Sequence, residues 1–340
     1  MNPFFSICIP SYNRVEFLNE LLISIVKQKY DGYEIIIAED KSPQRDKIRA
    51  VVSGFMVEHN ISDIRLRYVE NEVNFGYDGN IRNLVSLSKG RYCFFMGNDD
   101  VMSDGALELV HERLSQYKNI GLVLRSYGWF DNSGPEHVVR YGNSDRLFKP
   151  GTESIVFSFR RVGVIAGFIV DARLAKDCAT EAYDGTLYYQ MHLAYNALIN
   201  ASALYVDTPI VMCRNNIPPD FGNSVAEKGM YTPGEYTLKA RIAMISGMLR
   251  IAKEQDLIHG MLNYDLIKMD ISKYSFPILA KERGRGLSEF TKFSLNLAQI
   301  GIGSTLLFWG YFMIILLLGK IRAEKLFFSL KNRIGYTPQL

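Results

Sequence analysis

Four short polar clusters in residues 10–100 carry side chains that could bind a charged ligand: residues 10–14, 39–42, 71–80 and 97–100. In the last cluster, Asp99 and Asp100 are adjacent carboxylates. Hard oxygen ligands of this kind suit Mg²⁺ or Mn²⁺, which proteins commonly bind through one or two carboxylates and the phosphates of a substrate. A cation there would offset the charge of a leaving diphosphate. The pair therefore predicts a site for Mg²⁺ or Mn²⁺.

Each cluster alone also fits an ordinary structural reading, because acids that follow a strand often cap a helix or form a turn. Two common phosphate-binding motifs are missing from the sequence. It contains no GxxxxGK[ST] loop, and Gly301-Ile302-Gly303 lacks the third glycine of a dinucleotide fingerprint. Any phosphate site must therefore be built in another way.

The positions of the clusters follow from the predicted secondary structure. Strand and helix patterns alternate through residues 4–124. We predict strands at Phe4–Ile9, Tyr33–Ala38, Ile64–Val69, Arg91–Met96 and Ile120–Leu124, and helices at Val15–Val26, Pro43–Glu58, Asp78–Ser88 and Ser103–Tyr117. This alternation predicts an α/β fold with a mostly parallel sheet flanked by helices. Each cluster then follows the carboxyl end of a strand, where such sheets bind ligands.

Residues 4–125 resemble the family 2 glycosyltransferases, which have the GT-A fold, a Rossmann-like mostly parallel sheet flanked by helices. The resemblance rests on residues 6–14, 35–42, 74–76 and 89–100, taken in this order and spacing. The run Phe95-Met96-Gly97-Asn98-Asp99-Asp100 is similar to the abequosyltransferase-type subgroup of O-antigen enzymes. One departure from the commoner family pattern is Asn98, which stands before the acidic pair and leaves one carboxylate fewer for a metal.

The resemblance implies a role for each matching residue. Pro10, Tyr12 and Arg14 match a loop that packs on the nucleotide base and ribose, and Asp40 matches the acid that reads the base edge. Asn74, Gly76 and Asn80 match a segment near the base and diphosphate. Asp99 matches a position near the ribose or sugar, and Asp100 matches a metal ligand.

The catalytic base is expected in the acceptor-side half, because an inverting transfer needs a carboxylate or imidazole near the acceptor hydroxyl. Asp184 and His192 are the candidates, although Gln190 stands near the position of the family's usual acidic pair. Asp184, which precedes Gly185, is also typical of a turn. His192 is also typical of a histidine that is buried on a helix. A retaining enzyme would need no such base. Arg214 could bind a diphosphate bidentately or be a solvated loop residue.

The resemblance implies an enzyme that moves a sugar from a nucleoside diphosphate to a lipid-linked oligosaccharide in bacterial O-antigen or surface polysaccharide assembly. The subgroup favours a CDP-linked 3,6-dideoxyhexose such as abequose, with a polyprenyl-diphosphate-linked acceptor. An alternative is a non-catalytic scaffold that keeps the GT-A fold. A nucleotidyltransferase is disfavoured, because the sequence lacks a glycine-rich basic loop near the first strand.

The domain organisation predicted from these patterns has two parts. Residues 1–225 form the catalytic domain, with nucleotide-sugar binding in 1–125 and the acceptor side in 126–225. Residues 226–340 form a helical region whose segment 300–340 associates with membrane.

No charged side chain occurs in residues 293–319, and residues 320–340 hold five basic side chains against the single acid Glu324. A span would place this basic tail outside the cell, against the positive-inside rule. An interfacial or re-entrant helix avoids that conflict, and a soluble core helix remains the third reading. We therefore expect the protein at the cytoplasmic face of the bacterial inner membrane.

Composition excludes several other classes. The 340 residues include 39 Lys+Arg and 36 Asp+Glu, a net charge of +3, which gives no basic excess for nucleic-acid binding. Hydrophobic residues make up 48 %, enough to build a core. The four cysteines form no CxxC pair, which disfavours a disulfide framework or zinc site and fits a reducing compartment. Residues 1–10 show no secretory signal pattern.

Overall fold

The protein is described by a computed structural model that covers residues 3–334, except for the side chains at 328 and 330–334. The chain divides into two compact units, Met1–Tyr236 and Thr237–Leu340. The predicted boundary at residue 225 falls within a segment that belongs to the first unit. Residues 335–340 of the predicted membrane segment lie outside the described residues.

In the described part of the first unit, ten strands alternate with seven α-helices. The strands are β1 (Phe5–Ser11), β2 (Tyr33–Glu39), β3 (Leu66–Glu70), β4 (Tyr92–Phe95), β5 (Val101–Met102), β6 (Ile120–Asp131), β7 (Gly134–Val139), β8 (Arg146–Phe148), β9 (Phe168–Asp171) and β10 (Ser202–Arg214). The helices are α1 (Val15–Val26), α2 (Arg45–Glu58), α3 (Gly76–Leu87), α4 (Ala106–Ser115), α5 (Thr152–Phe159), α6 (Ala172–Asp177) and α7 (Tyr189–Asn200).

All ten strands form one mixed sheet, so the predicted α/β sheet flanked by helices is confirmed. The sheet is less parallel than predicted, because four of its strand pairs are parallel and five are antiparallel. Its main order is β3-β2-β1-β4-β9-β6-β10-β5, with β7 paired to β6 and β8 to β10. The pairs β3–β2, β2–β1, β1–β4 and β6–β10 are parallel. The short strand β9 runs antiparallel to both β4 and β6 and joins the two parallel regions.

The parallel register brings the ends of β1, β2 and β3 to one edge of the sheet. Ser11 pairs with Glu39, and Glu39 pairs with Glu70. The backbone N–H of Asp40 then donates to Ser11 O at 2.9 Å, and that of Asn71 donates to Glu39 O at 2.9 Å. The strands β2 and β4 are buried along their whole length, and both are predominantly apolar. The residues that follow β1, β2 and β3 therefore lie side by side at this edge.

The helix α3 anchors the segment that precedes α7. Asp78, which is 1 % exposed, accepts hydrogen bonds from the backbone N–H groups of Leu187 at 2.8 Å and Tyr189 at 2.9 Å. Leu187 has a φ of 62°, a left-handed conformation that is unfavourable for a branched side chain. One turn further along α3, Arg82 forms a two-pronged ion pair with Asp184. These contacts hold residues 184–189 against α3.

The described part of the second unit is helical. It contains α8 (Leu238–His259), α9 (Tyr264–Lys273), α10 (Phe276–Arg283), α11 (Leu287–Gln299) and α12 (Leu306–Ile334). Thr237 caps α8 by accepting the Ala240 N–H. Inside α12, Gly319 has φ 72° and ψ 173°, which interrupts the helix. By length and composition, Leu306–Phe327 is the one candidate membrane-crossing helix among the described residues.

The buried acid Asp78 gives a pH-dependent stability. Burial raises the pKa of Asp78 to about 7, whereas an unfolded aspartate titrates near 3.9. The folded chain therefore binds more protons than the unfolded chain between about pH 4 and pH 7, and stability falls as pH rises through this window. We expect Asp78→Asn to flatten this dependence when unfolding midpoints are measured across the window. The exposed-site control Asp63→Asn should keep the wild-type slope, and an unchanged slope in Asp78→Asn would contradict the assignment.

Candidate functional site

The polar clusters line one open cavity at the edge of the sheet. The predicted residues in its lining are Pro10, Tyr12, Arg14, Asp40, Asn74, Gly76, Asn80, Asp99 and Asp100. Four separate loops and helix starts therefore contribute to a single cavity, as the strand register requires.

Asp40 is held by donors from its neighbours. Its Oδ1 accepts from Asn71 Nδ2 at 2.7 Å and from Phe75 N at 2.9 Å, and its Oδ2 accepts from Gly76 N at 2.9 Å. The two backbone donors lie at the start of α3, where N–H groups have no partner within the helix. Burial raises the pKa of Asp40 to about 6, and these donors oppose the rise. The carboxylate is thus fixed in position and mostly ionised at neutral pH.

Asp99 and Asp100 are each 8 % exposed and lie just after β4. Arg14 NH1 donates to Asp99 Oδ2 at 2.7 Å, and the backbone N–H of Arg214 donates to Asp100 Oδ1 at 2.8 Å. Gly97 permits this arrangement, because a Cβ there would lie 2.4 Å from Asp100 Oδ2. The pair is therefore fixed from two sides, by the loop after β1 and by the end of β10.

The acidic pair is not fully neutralised by the protein. Burial raises the pKa of Asp100 to about 8, with a further rise from the charge of Asp99. Burial also raises the pKa of Asp99, although Arg14 opposes this. Two adjacent buried carboxylates facing a cavity are a donor set that fits a hard divalent cation. The described residues include no group of three or more His, Cys, Asp or Glu side chains that could hold a metal. A cation at this pair would therefore need further oxygen ligands from the substrate or from water.

Polar atoms without a hydrogen-bond partner also support the interpretation that the cavity binds a polar ligand. Ser11 Oγ and Asn13 Oδ1 are buried and have no hydrogen-bond partner within the described structure. Ser11 lines the cavity, beside Tyr12. Buried polar atoms normally find partners, so a polar ligand in the cavity would provide a partner for Ser11 Oγ.

The side chain of Arg214 does not line the cavity. Its guanidinium stacks between Phe17 and Phe130, at 4.4 and 4.5 Å from the ring centroids, and forms an ion pair with Glu20. Its Nε donates to the backbone oxygen of Asp99 at 2.9 Å. The predicted diphosphate contact is thus not present in this geometry, and Arg214 instead supports the acidic pair from behind.

Asp184 and His192 also lie outside the cavity lining. Asp184 is paired with Arg82. His192 is 3 % exposed on α7, with Nε2 2.7 Å from Cys178 O and Nδ1 3.1 Å from Asn196 Nδ2. The structure does not bring these two residues to the acidic pair, and their catalytic role stays a prediction that this geometry does not support.

Several cavity residues are absent from the set predicted from sequence. The segment between β10 and α8 contributes Asp220, Phe221 and Glu227 to the lining. Arg14 Nε lies 3.6 Å from Asp220 Oδ2, and Glu227 accepts the backbone N–H groups of Tyr77 and Gly222, each at 2.8 Å. This segment closes one side of the cavity.

One glycine in the sequence, Gly76, indicates that another segment approaches the start of α3 closely. Gly76 has φ 75°, and a Cβ there would lie 2.4 Å from Ser224 Oγ and 2.7 Å from Glu227 Oε1. The glycine therefore lets the loop after β10 pack on the start of α3. The glycine by itself does not indicate which distant segment packs there.

Comparison with known sequences finds a family match within the first unit. Residues 6–167 match the family model described as Glycosyl transferase family 2. The chain is 25 % identical over 224 residues to abequosyltransferase RfbV of Salmonella typhimurium, covering 62 % of this chain and 66 % of that protein. It is 24 % identical over 128 residues to UDP-Glc:alpha-D-GlcNAc-diphosphoundecaprenol beta-1,3-glucosyltransferase WfgD of Escherichia coli, covering 38 % of this chain and 47 % of that protein. The matches thus span less than two thirds of these relatives.

Comparison with solved structures agrees on the fold. The crystal structure of S. aureus TarS 1–349 in complex with UDP superposes with a TM-score of 0.58 at 13 % identity, covering 98 % of this chain and 92 % of that chain. At this identity, the likeness concerns the fold alone.

The raised pKa of Asp100 predicts how the site takes a metal. Because that pKa is about 8, a cation must displace a proton below this pH, so Mn²⁺ affinity should rise by about tenfold per pH unit between pH 6 and pH 8. Calorimetric titration of Mn²⁺ in buffers of different ionisation enthalpy measures both the affinity and the released proton. Asp100→Asn should bind weakly at every pH, whereas the exposed-site control Asp104→Asn should match the wild type. Wild-type Mn²⁺ affinity in Asp100→Asn would rule out this metal site.

Proposed function

We propose that this chain, whose residues 6–167 form a family 2 glycosyltransferase domain, transfers a 3,6-dideoxyhexose such as abequose from a CDP-linked donor to a polyprenyl-diphosphate-linked oligosaccharide. The enzyme class itself, a nucleotide-sugar glycosyltransferase, follows from the family and the named relatives. The observation that carries the proposal is the convergence of Asp40, the start of α3 and the Asp99–Asp100 pair on one cavity. The product would belong to bacterial O-antigen or surface polysaccharide.

In this proposal the donor nucleotide lies between the loop after β1 and the start of α3. Asp40 is fixed and mostly ionised, so its remaining acceptor capacity can receive an N–H from a base edge. Tyr12 and Pro10 supply flat and apolar surface for the base and ribose. Asn74, Gly76 and Asn80 continue the lining toward the diphosphate.

Asp100 would hold a divalent cation, Mg²⁺ or Mn²⁺, with Asp99 beside it. The bound cation would supply charge stabilisation for the leaving diphosphate. Arg14 contacts Asp99 in the present geometry and lines the same cavity, so its guanidinium can also meet a phosphate oxygen. Asn98 adds no carboxylate to the site. Its side chain instead donates a hydrogen bond to Asn13 O at 3.1 Å and so stabilises the loop after β1.

The apolar part of the cavity lining favours a dideoxy sugar. Such a sugar lacks two hydroxyl groups and therefore presents more apolar surface than a common hexose. Ile165 and Phe221 supply apolar side chains to the cavity. Together with the similarity to an abequosyltransferase over 62 % of the chain, this favours a CDP-linked dideoxyhexose among the possible donors.

The acceptor and location are proposed from the relatives and from the second unit. WfgD is named for a diphosphoundecaprenol-linked acceptor, and such acceptors reside in a membrane. The second unit contributes an apolar helix, α12. We place the protein at the cytoplasmic face of the inner membrane, where nucleotide sugars are available.

A donor-binding experiment tests the proposal. Thermal unfolding of the full chain with CDP, UDP, GDP or dTDP, each with and without Mn²⁺, should show the largest rise in midpoint with CDP and Mn²⁺. Asp40→Asn should reduce this rise, and the exposed-site control Asp63→Asn should not. A larger shift with another nucleotide would exclude the CDP assignment. Absence of any shift, together with no hydrolysis of nucleotide sugar, would favour a non-catalytic scaffold.

The acceptor hydroxyl attacks the anomeric carbon while the bond from that carbon to the diphosphate oxygen breaks, and the hydroxyl proton must be accepted. We propose Asp220 as the group that accepts it in an inverting reaction. Its side chain is 35 % exposed and lines the cavity. Glu227 is less suitable, because both of its oxygens are engaged by backbone N–H groups.

Rate measurements separate the candidate bases. Asp220→Asn should lower kcat by about 10²–10⁴-fold with little change in donor binding, the range typical of a lost general base. His192→Gln and Asp184→Asn should keep most of their activity once corrected for the folded fraction, because neither side chain lines the cavity. A wild-type kcat in Asp220→Asn would exclude Asp220, and a large kcat loss confined to His192→Gln would restore the prediction made from sequence.

A further inference from the structure

The first half of α12 presents a continuous apolar surface to solvent. Leu306, Met313 and Leu317 are 92 %, 47 % and 75 % exposed, and their spacing of seven and four residues places them on one face of a helix. Phe308 and Ile315 are fully buried on the opposite face. The helix is thus packed against its own unit on one side and leaves an apolar stripe on the other, a feature typical of a binding surface.

The helix does not continue as a straight rod beyond this surface. The rings of Tyr311 and Phe327 lie 6.0 Å apart, and both contact Phe276 of α10, at 5.4 and 4.0 Å. A straight helix would separate these positions by about 24 Å. The chain therefore folds back at Gly319, whose φ of 72° and ψ of 173° belong to a region that is essentially restricted to glycine.

The bend makes the apolar part too short to cross a bilayer. Leu306–Leu318 rises about 20 Å along its axis, whereas the hydrocarbon core of a bilayer is about 30 Å thick. The candidate span Leu306–Phe327 reaches its length only by counting residues on both sides of the bend.

The part of α12 after the bend has mixed chemistry on its outward surface. Lys320, Arg322 and Lys325 are exposed, and Ile321 between them is 69 % exposed. Cationic side chains beside exposed apolar ones are typical of helices that lie in the headgroup region of an anionic membrane. This charge complementarity favours lipid over an apolar protein partner.

We propose that α12 docks on an anionic bilayer as a bent, in-plane element that enters only one leaflet. The face formed by Leu306, Met313 and Leu317 lies against the acyl chains, and Lys320, Arg322 and Lys325 contact anionic headgroups. Both ends of the element stay on the same side of the membrane. This inference rests on the membrane location proposed above and extends it, but it does not depend on the sugar or on the transfer chemistry.

Lipid binding is tested with the full chain and vesicles of phosphatidylcholine, with or without phosphatidylglycerol, without donor or acceptor. Flotation should recover the protein with the anionic vesicles, and recovery should fall at high salt. The double variant Leu306→Glu/Leu317→Glu should reduce the bound fraction by about tenfold. Ile64→Glu is the matched control, because Ile64 is an 86 % exposed apolar residue in the first unit, and it should bind as the wild type does.

Three results would overturn the lipid assignment. They are a wild-type chain that stays free of vesicles, a double variant that binds as well as the wild type, and a lipid-free dimer that the double variant dissociates. Circular dichroism and the unfolding midpoint of each variant establish that it is folded. Because no activity is measured, failure here is distinguishable from failure of the proposed sugar transfer.

The orientation is tested by cysteine labelling from outside the vesicles. Ser304→Cys and Ser329→Cys flank the bend at exposed positions, and a Cys178→Ser background removes the one native cysteine that is not buried. A membrane-impermeant maleimide should label both positions equally before the vesicles are lysed. Labelling of Ser329→Cys only after lysis would demonstrate a span and contradict the in-plane arrangement.

Discussion

The burial of two adjacent acids, Asp99 and Asp100, in the cavity wall is the physical constraint that the site in the first unit has to accommodate. Burial in a cavity wall raises the pKa of Asp100, and the charge of Asp99 raises it further. The protein opposes this with the guanidinium of Arg14, which pairs with Asp99, with the more distant charges of Arg125 and Arg214, and with the backbone N–H of Arg214, which donates to Asp100. These groups come from segments far apart in sequence, so the folded sheet is what brings them to the pair. The incomplete compensation that remains is what makes the pair suited to a cation.

Asp40 lines the same cavity but differs from the Asp99–Asp100 pair in how the protein stabilises its charge. Its carboxylate receives three donors from the chain, two of them from the start of α3, and its pKa is raised only to about 6. An acid satisfied by the protein is suited to orienting a neutral ligand group, whereas an acid left unsatisfied is suited to binding charge. Under the proposed function, the acid at Asp40 would recognise the base and the Asp99–Asp100 pair would lie at the diphosphate.

The sequence was informative wherever function depends on local order along the chain. Alternating apolar and helical patterns predicted β1 to β4 and their helices, and the polar residues at the strand ends therefore met as expected. The antiparallel strand β9, the side-chain direction of Arg214 and the loop that carries Asp220 depend on contacts between distant segments, which periodicity does not encode. His192 shows the same limit. The sequence pattern of a histidine on a helix is the same whether the side chain faces a cavity or, as on α7, is buried in the core.

The most direct test of the central claim is anomalous diffraction from crystals of the full chain grown with Mn²⁺ and the nucleoside diphosphate that it binds most tightly. We expect a manganese peak within coordination distance of a carboxylate oxygen of Asp100, and the base of the nucleotide beside Asp40. A bound nucleotide with no manganese at the acidic pair would contradict the metal role. A nucleotide bound outside the cavity would contradict the site as a whole.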